Sequence, residues 1–292
     1  MPSGQAPAKA QHALAPSRVP CFILAGWLCA LGVGCKTQAR APTEEEPAAT
    51  AAPEKLDTSQ SEKSPSTTRR ELLHAAALGD LAAVEELLDA GADPNARAMD
   101  PRGRTALILA ALGGHADVVD ALLAKGAGVD ERDRGGLTAL CWAAMRGRTQ
   151  VAKRLLSKGA DVNALDNGGA SPLLYAVGTH NADMVEILFK HEADLEVESR
   201  GNMMTPLLLA IEHHDVEIIG LLLENGADVN HANQDRVSPL IAAAQKGQVD
   251  VAEMLLSRGA NRGWKDKNNA TALKIAKRNG HKAVVALLKR PE

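Results

Sequence analysis

The sequence predicts an all-α repeat solenoid of about seven helix-turn-helix units, held behind a short export segment and a tether. Three observations carry this reading. Hydroxyl residues Thr105, Thr138, Ser171, Thr205, Ser238 and Thr271 recur every 33 or 34 residues, and a fixed period of that size means one supersecondary unit stacked many times. Aromatic residues make up only 2% of the chain while hydrophobic residues reach 45%, so the core is built from Ala, Leu and Val, which favours helices. No single unit carries enough apolar surface to bury its own face, so stability must come from stacking on neighbours.

The chain opens with its least polar stretch, CFILAGWLCALGVGC, residues 21–35. The uncharged run from Val19 to Gly34 would span roughly 24 Å as a helix, short of the roughly 30 Å hydrocarbon core of a bilayer. Lys9 and Arg18 precede it, as in an export signal. The run ends in Gly32-Val33-Gly34-Cys35, which resembles the lipobox of bacterial lipoproteins. That resemblance implies a signal peptide over 1–34, cleavage before Cys35 and acylation of its thiol, although Gly32 stands where the usual residue is Leu. Two or three acyl chains would give stable attachment, at about 0.8 kcal/mol per buried methylene. The expected location is therefore the bacterial cell envelope, as a membrane-anchored lipoprotein facing the periplasm or in the outer membrane. Lys36 leans towards the outer membrane. Plain secretion by cleavage at the same small residues, and retention as an uncleaved anchor, are the competing readings.

Residues 35–68 read as a disordered tether rich in Pro, Ala, Glu, Ser and Thr, too poor in apolar groups to offset the entropy of ordering. Glu44-Glu45-Glu46 within it reads as solvation. The repeat domain is assigned to 69–292.

Each unit follows one logic. The Thr or Ser is a helix N-cap, and Pro172, Pro206 and Pro239 follow three of these caps at the first helical position. Paired alanines such as Ala110-Ala111, Ala143-Ala144 and Ala243-Ala244 let the first helix lie close to its neighbours. Gly114, Gly147, Gly247 and Gly280 end it in the left-handed conformation. A second helix with one apolar stripe follows, as in Val118, Val119, Leu122 and Leu123, and closes at Gly126, Gly159, Gly226 or Gly259. An ADVN-like turn then leads into an extended β-turn finger. This pattern is similar to the ankyrin repeat, so the array is expected to be seven stacked ankyrin repeats with atypical first and last units as caps. The family's His of Thr-Pro-Leu-His is replaced by Ile108, Cys141, Leu174, Leu208, Ile241 and Lys274. His180, His214 and Glu192 stand where glycines belong, at about 1 kcal/mol each. The middle of the array is therefore expected to be its least ideal part.

Catalytic signatures are missing from the sequence: it has no phosphate-binding glycine loop, no nucleophile elbow and no zinc-ligand spacing. The expectation is a non-enzyme with no cofactor, no metal, no nucleic acid and no small-molecule substrate. The four cysteines at 21, 29, 35 and 141 have neither metal-ligand nor disulfide-scaffold spacing, and Cys141 reads as a buried core thiol. His213-His214-Asp215 is the most tempting cluster, but neighbours on a helix point about 100° apart, so the two histidines cannot share a face.

The family resemblance implies a partner protein lying against finger tips and first helices. Carried over by position, that surface holds Arg102, Arg104, Arg132, Arg134, Leu137, Met145, Arg146, Arg200, Met204, Lys246, Arg258 and Lys265. The second helices begin instead with acid, as at Asp117, Asp183, Glu217 and Asp250. This segregation suggests a basic groove for an acidic protein segment; the alternative is that acids favour helix N-termini while Lys and Arg favour solvated tips. A cytoplasm-facing membrane-anchored scaffold, and an enzyme or metal site in repeats four and five, are the rival functions.

Overall fold

The computed structural model describes residues 64–201 and 203–290. The proposed signal peptide, Cys35 and the acidic run at 44–46 lie outside the described residues. The described residues form fourteen helices and no strand. In chain order these are α1 (Pro65–Leu78), α2 (Leu81–Asp89), α3 (Ala106–Gly113), α4 (Ala116–Ala124), α5 (Ala139–Met145), α6 (Thr149–Ser157) and α7 (Pro172–Gly178). There follow α8 (Ala182–Phe189), α9 (Pro206–His213), α10 (Val216–Glu224), α11 (Pro239–Lys246), α12 (Val249–Ser257), α13 (Ala272–Asn279) and α14 (Lys282–Leu288). They pair as seven antiparallel hairpins, and each first helix packs on the first helix of the next hairpin.

The helix starts follow from the sequence. Oγ1 or Oγ of Thr105, Thr138, Ser171, Thr205, Ser238 and Thr271 accepts from the backbone N–H three residues on, at 3.3–3.4 Å. The first five hydroxyls are buried, so an empty cap there would strand a donor away from water. One boundary moves. α1 begins at Pro65, inside the segment expected to be tether, because Ser64-Pro65 supplies a helix start whose proline has no N–H to satisfy.

The core is the stack of small and branched residues between hairpins. Leu122, Leu155, Leu188, Leu222 and Leu255, one per inner second helix, are all fully buried, each contributing about 1.5–3 kcal/mol over exposure. The residues replacing the family's histidine, from Ile108 to Ile241, are buried as well, so apolar packing stands where a polar network would. In the last hairpin, Lys274 at this position is exposed.

Polar ladders tie the hairpins together. Side-chain oxygens of Asn95, Asp130, Asn163, Glu196 and Asn230 each accept from a backbone N–H of the next unit (Gly128, Asp161, Asp194, Asp228 and Asn261), at 2.7–3.0 Å. The three asparagines also donate through Nδ2 to the carbonyls of Gly126, Glu192 and Gly259. Asp130 and Glu196 carry no amide donor for the second contact, and Glu196 instead lies 3.2 Å from Nδ1 of His231.

His180, Glu192 and His214 sit on left-handed backbone at φ 56°, 63° and 55°, as their sequence positions imply. At the position of His180 and His214, glycines such as Gly247 lie against the next unit, where a Cβ would be 2.5 Å from Nδ1 of His281, whereas the glycines at the position of Glu192, such as Gly126 and Gly259, face open space. Met203, Arg236 and Asn269 are also left-handed, so the strained positions extend from the middle of the array to its last finger.

Candidate partner-binding groove

The fingers are built on acceptor side chains at their roots. Oδ1 of Asp100 takes the N–H groups of Arg102 and Gly103, Oδ1 of Asp133 those of Gly135 and Leu137, and Oδ1 of Asp166 those of Gly168 and Ala170. Asp266 repeats the pattern with Asn268 and Ala270. Such turns fix the direction in which each tip leaves the helix stack. Neighbouring tips are joined by backbone bonds: Arg134 N–H to Arg102 C=O at 2.8 Å, Asn167 to Gly135 at 3.0 Å, Arg200 to Gly168 at 2.8 Å and Lys267 to Asp235 at 3.3 Å. Between the fingers at 198–204 and 233–237 the join is instead Gln234 N–H to the Glu198 carboxylate at 3.3 Å.

Two aromatic residues lock fingers to helices. Trp142 donates Nε1–H to Asp133 Oδ2 at 3.2 Å, and Tyr175 donates its hydroxyl to Asp166 Oδ2 at 2.5 Å. The Arg102 guanidinium lies over the Trp142 ring, 5.4 Å from its centroid. Burial and the Asp166 hydrogen bond both raise the Tyr175 phenol above its ordinary value, so it serves as a fixed donor. The sequence reading passed over Trp142 and Tyr175 as anchors. The signal that would have found them is the recurrence of an aromatic residue nine positions after a finger aspartate.

The predicted groove residues divide into three groups. Arg102, Arg132, Arg134, Arg146, Arg200 and Lys265 make no ion pair among the described residues. Arg132 donates Nη1–H to the Leu165 carbonyl at 2.6 Å, and Arg134 donates to that of Pro101 at 3.4 Å. These guanidiniums are thus held at the stacked tips, charge uncancelled. Arg104, Lys246 and Arg258 are instead bound to carboxylates: Arg104 to Asp100 at 2.7 Å, Lys246 to Glu212, and Arg258 to Glu224 at 3.7 Å. Among apolar candidates, Met145 and Met204 are half-buried, but Leu137 is only 6% exposed. It packs under its own finger and offers a partner almost nothing, because the Asp133 turn folds it inward.

Similar pairs join other units: Asp89 to Lys125 at 2.5 Å, Asp120 to Arg154, Asp235 to Lys267 at 2.7 Å and Arg97 to Glu131. Of the bases read as groove-facing, Lys246 and Arg258 therefore couple neighbouring repeats.

The structure also separates the two histidines of His213-His214. His214 Nε2 lies 3.0 and 2.9 Å from the two carboxylate oxygens of Asp250. His213 meets the ring of His180 edge-on, with centroids 4.8 Å apart, and burial together with the His180 charge lowers its pKa. His180 in turn holds Asp215 at 2.9 Å. Among the described residues no three His, Cys, Asp or Glu side chains are grouped to hold a metal ion. Cys141 is fully buried against the Ala164 carbonyl, and burial pushes its thiol up to about 11. No helix among the described residues is long and apolar enough to cross a membrane.

Three comparisons place this geometry among known proteins. The family described as ankyrin repeats in three copies matches residues 72–166, 164–233 and 229–292. The ankyrin repeat domain of Bcl-3, described as a unique member of the IkappaB protein family, superposes with a TM-score of 0.70 at 27% identity, covering 75% of this chain and 98% of that one. The human ASB11 ankyrin repeat domain superposes at 0.64 with 31% identity, covering 76% and 98%. In sequence, 63 residues are 46% identical to serine/threonine-protein kinase 12 of Arabidopsis thaliana, a match covering 22% of this chain and 13% of the kinase.

Proposed function

Because the chain belongs to the ankyrin-repeat family, whose repeats are protein-interaction modules, we propose that it is a non-enzymatic scaffold that binds an acidic protein segment along the fingers that precede the first helices of repeats two to five. The observation that supports this reading is the row Arg102, Arg132, Arg134 and Arg200, with Arg146 at the end of the adjoining first helix, each without a carboxylate partner among the described residues, whereas Arg104, Lys246 and Arg258 are paired. Guanidiniums pre-oriented by carbonyl bonds lose less rotamer freedom on meeting a carboxylate and form charge-assisted, often bidentate bonds. Met145 and Met204 would supply adaptable apolar contact beside them. The partner's approach would be steered by charge and weakened by salt.

The scaffold is proposed to work from the bacterial cell envelope, exported and anchored through lipid on Cys35. The supporting feature is the Gly32-Val33-Gly34-Cys35 sequence. Intact mass of the N-terminal fragment from a membrane fraction tests this: a fragment starting at Cys35 with acyl mass agrees, and one starting at Met1 does not. For the groove, Arg132→Glu with Arg134→Glu should cost at least tenfold in affinity for the captured partner. The same change on the opposite helices, Lys153→Glu, should cost little. Affinity that ignores both the double variant and ionic strength would refute the basic-groove reading.

A further inference from the structure

The two ends of the repeat array differ from its interior in a complementary way. At the position of Leu122, Leu155, Leu188, Leu222 and Leu255 every inner second helix carries a fully buried leucine, yet its equivalent in α2, Leu87, is half-exposed. Leu87 therefore stands on the side that an inner unit covers with its preceding neighbour. Leu87, Ala75, Ala83 and Leu78 line an open depression of about 260 Å³ between α1 and α2, rimmed by Glu71, Asp80 and Glu86. Leu78 is 65% exposed, one of few large apolar side chains so placed among the described residues. Among the described residues nothing covers this stacking face, whose rim is acidic.

The other end has the opposite character. Lys274 occupies the position of Ile108, Cys141, Leu174, Leu208 and Ile241, all buried. Lys277 occupies that of Ala111, Ala144, Val177, Ile211 and Ala244, also buried. Both lysines are exposed among the described residues. Lys274, Lys277, Lys282 and Lys289 form no ion pair among the described residues. Inside the array, successive units are repeatedly bridged acid to base, as in Asp89–Lys125, Asp120–Arg154 and Glu212–Lys246.

We propose that these ends dock on each other: a second copy of this chain sets its basic seventh repeat on the acidic-rimmed first repeat of its neighbour, extending the stack head to tail. Charge complementarity selects the second copy as the occupant, because it brings a ready-made hairpin of the same period with lysines facing the rim. The contact is heterologous, so both ends of each chain stay usable and short linear chains form. One hairpin face is a small interface, so the association is weak and salt-sensitive.

Sedimentation velocity of the full chain over rising concentration tests this, with charge-reversed ends as the control. The unmodified chain should form dimers and longer species at low salt that dissociate at high salt. Lys274→Glu with Lys277→Glu should self-associate at least tenfold more weakly, and so should Ala83→Lys with Glu86→Lys. Mixing the two variants should restore association, since each then offers the other an opposite end. Circular dichroism and thermal melting confirm that each variant is folded before it is scored. A chain that stays monomeric up to ~1 mM, a range in which small transient interfaces still register, overturns the proposal. So does association that neither end variant weakens, or a mixture that fails to associate. The arginine variants of the groove leave these end faces intact, so failure here and failure of partner binding are read separately.

Discussion

His214 adopts left-handed backbone at φ 55° and holds Asp250, 36 residues further on, between 2.9 and 3.0 Å from its Nε2. A position that elsewhere belongs to glycine has been given to a residue that couples two repeats. Two opposing effects meet there. Non-glycine backbone in this region costs about 1 kcal/mol, while an exposed pair returns about 0–1 kcal/mol. His214→Gly should therefore leave stability at neutral pH unchanged or raise it by up to about 1 kcal/mol, measured by urea titration. A loss greater than that would mean the pair outweighs the strain.

The same pair sets a pH dependence. Burial works to raise the Asp250 pKa, but the His214 hydrogen bond, backbone N–H groups and the His214 charge prevail and hold it below its ordinary value of 3.8. A depressed carboxylate stabilises the fold above its unfolded pKa, and that contribution fades as pH falls through the lower folded value. His214→Gly should flatten the acid limb of the stability curve below about pH 4, where the native chain is steepest. Identical acid limbs would exclude a role for the pair.

The asparagine ladder predicts a gain and a loss. Asn230→Ala removes the acceptor for Asn261 N–H and the donor to Gly259, and should cost about 1–2 kcal/mol. Asp130→Asn keeps the acceptor for Asp161 N–H and adds a donor of the kind that Asn95, Asn163 and Asn230 use, and should gain about 0.5–1 kcal/mol. Thermal melts of both variants check the signs.

Trp142→Phe keeps most of the apolar volume but strips Asp133 Oδ2 of its indole donor in a buried setting. A cost of about 1–3 kcal/mol is expected, with hydrogen exchange at Gly135 and Leu137 rising first because their N–H groups depend on the same carboxylate. Uniform exchange across the chain would show that the finger is not the part released.

Cys141 should behave as an inert thiol. Burial raises it to about 11, so the thiolate that reacts is scarce at neutral pH. Alkylation at Cys141, followed by peptide mass, should track global unfolding in urea. Rapid labelling of the native chain would contradict the packing described.

The sequence made the repeat legible wherever one residue type has one local job. Thr105 and its equivalents cap, prolines such as Pro172 start helices, and His180, Glu192 and His214 inherit a left-handed backbone from their place in the period. What it concealed depends on two units meeting. That Lys246 would close on Glu212, or Arg258 on Glu224, is set by side-chain reach between hairpins 34 residues apart, which the period alone does not encode. Leu137 looked available because it follows a finger, but the Asp133 turn buries it. Arg132 and Arg134 share Leu137's finger yet remain at the surface, as charged side chains do where a leucine is buried.

The most direct test of the scaffold reading is site-specific photo-crosslinking in intact cells, with the probe placed in turn at Arg134, Arg146 and Lys153. The account predicts one discrete adduct with an acidic protein from positions 134 and 146 and none from 153. Adducts from 153 alone, or none from the finger face, would contradict it.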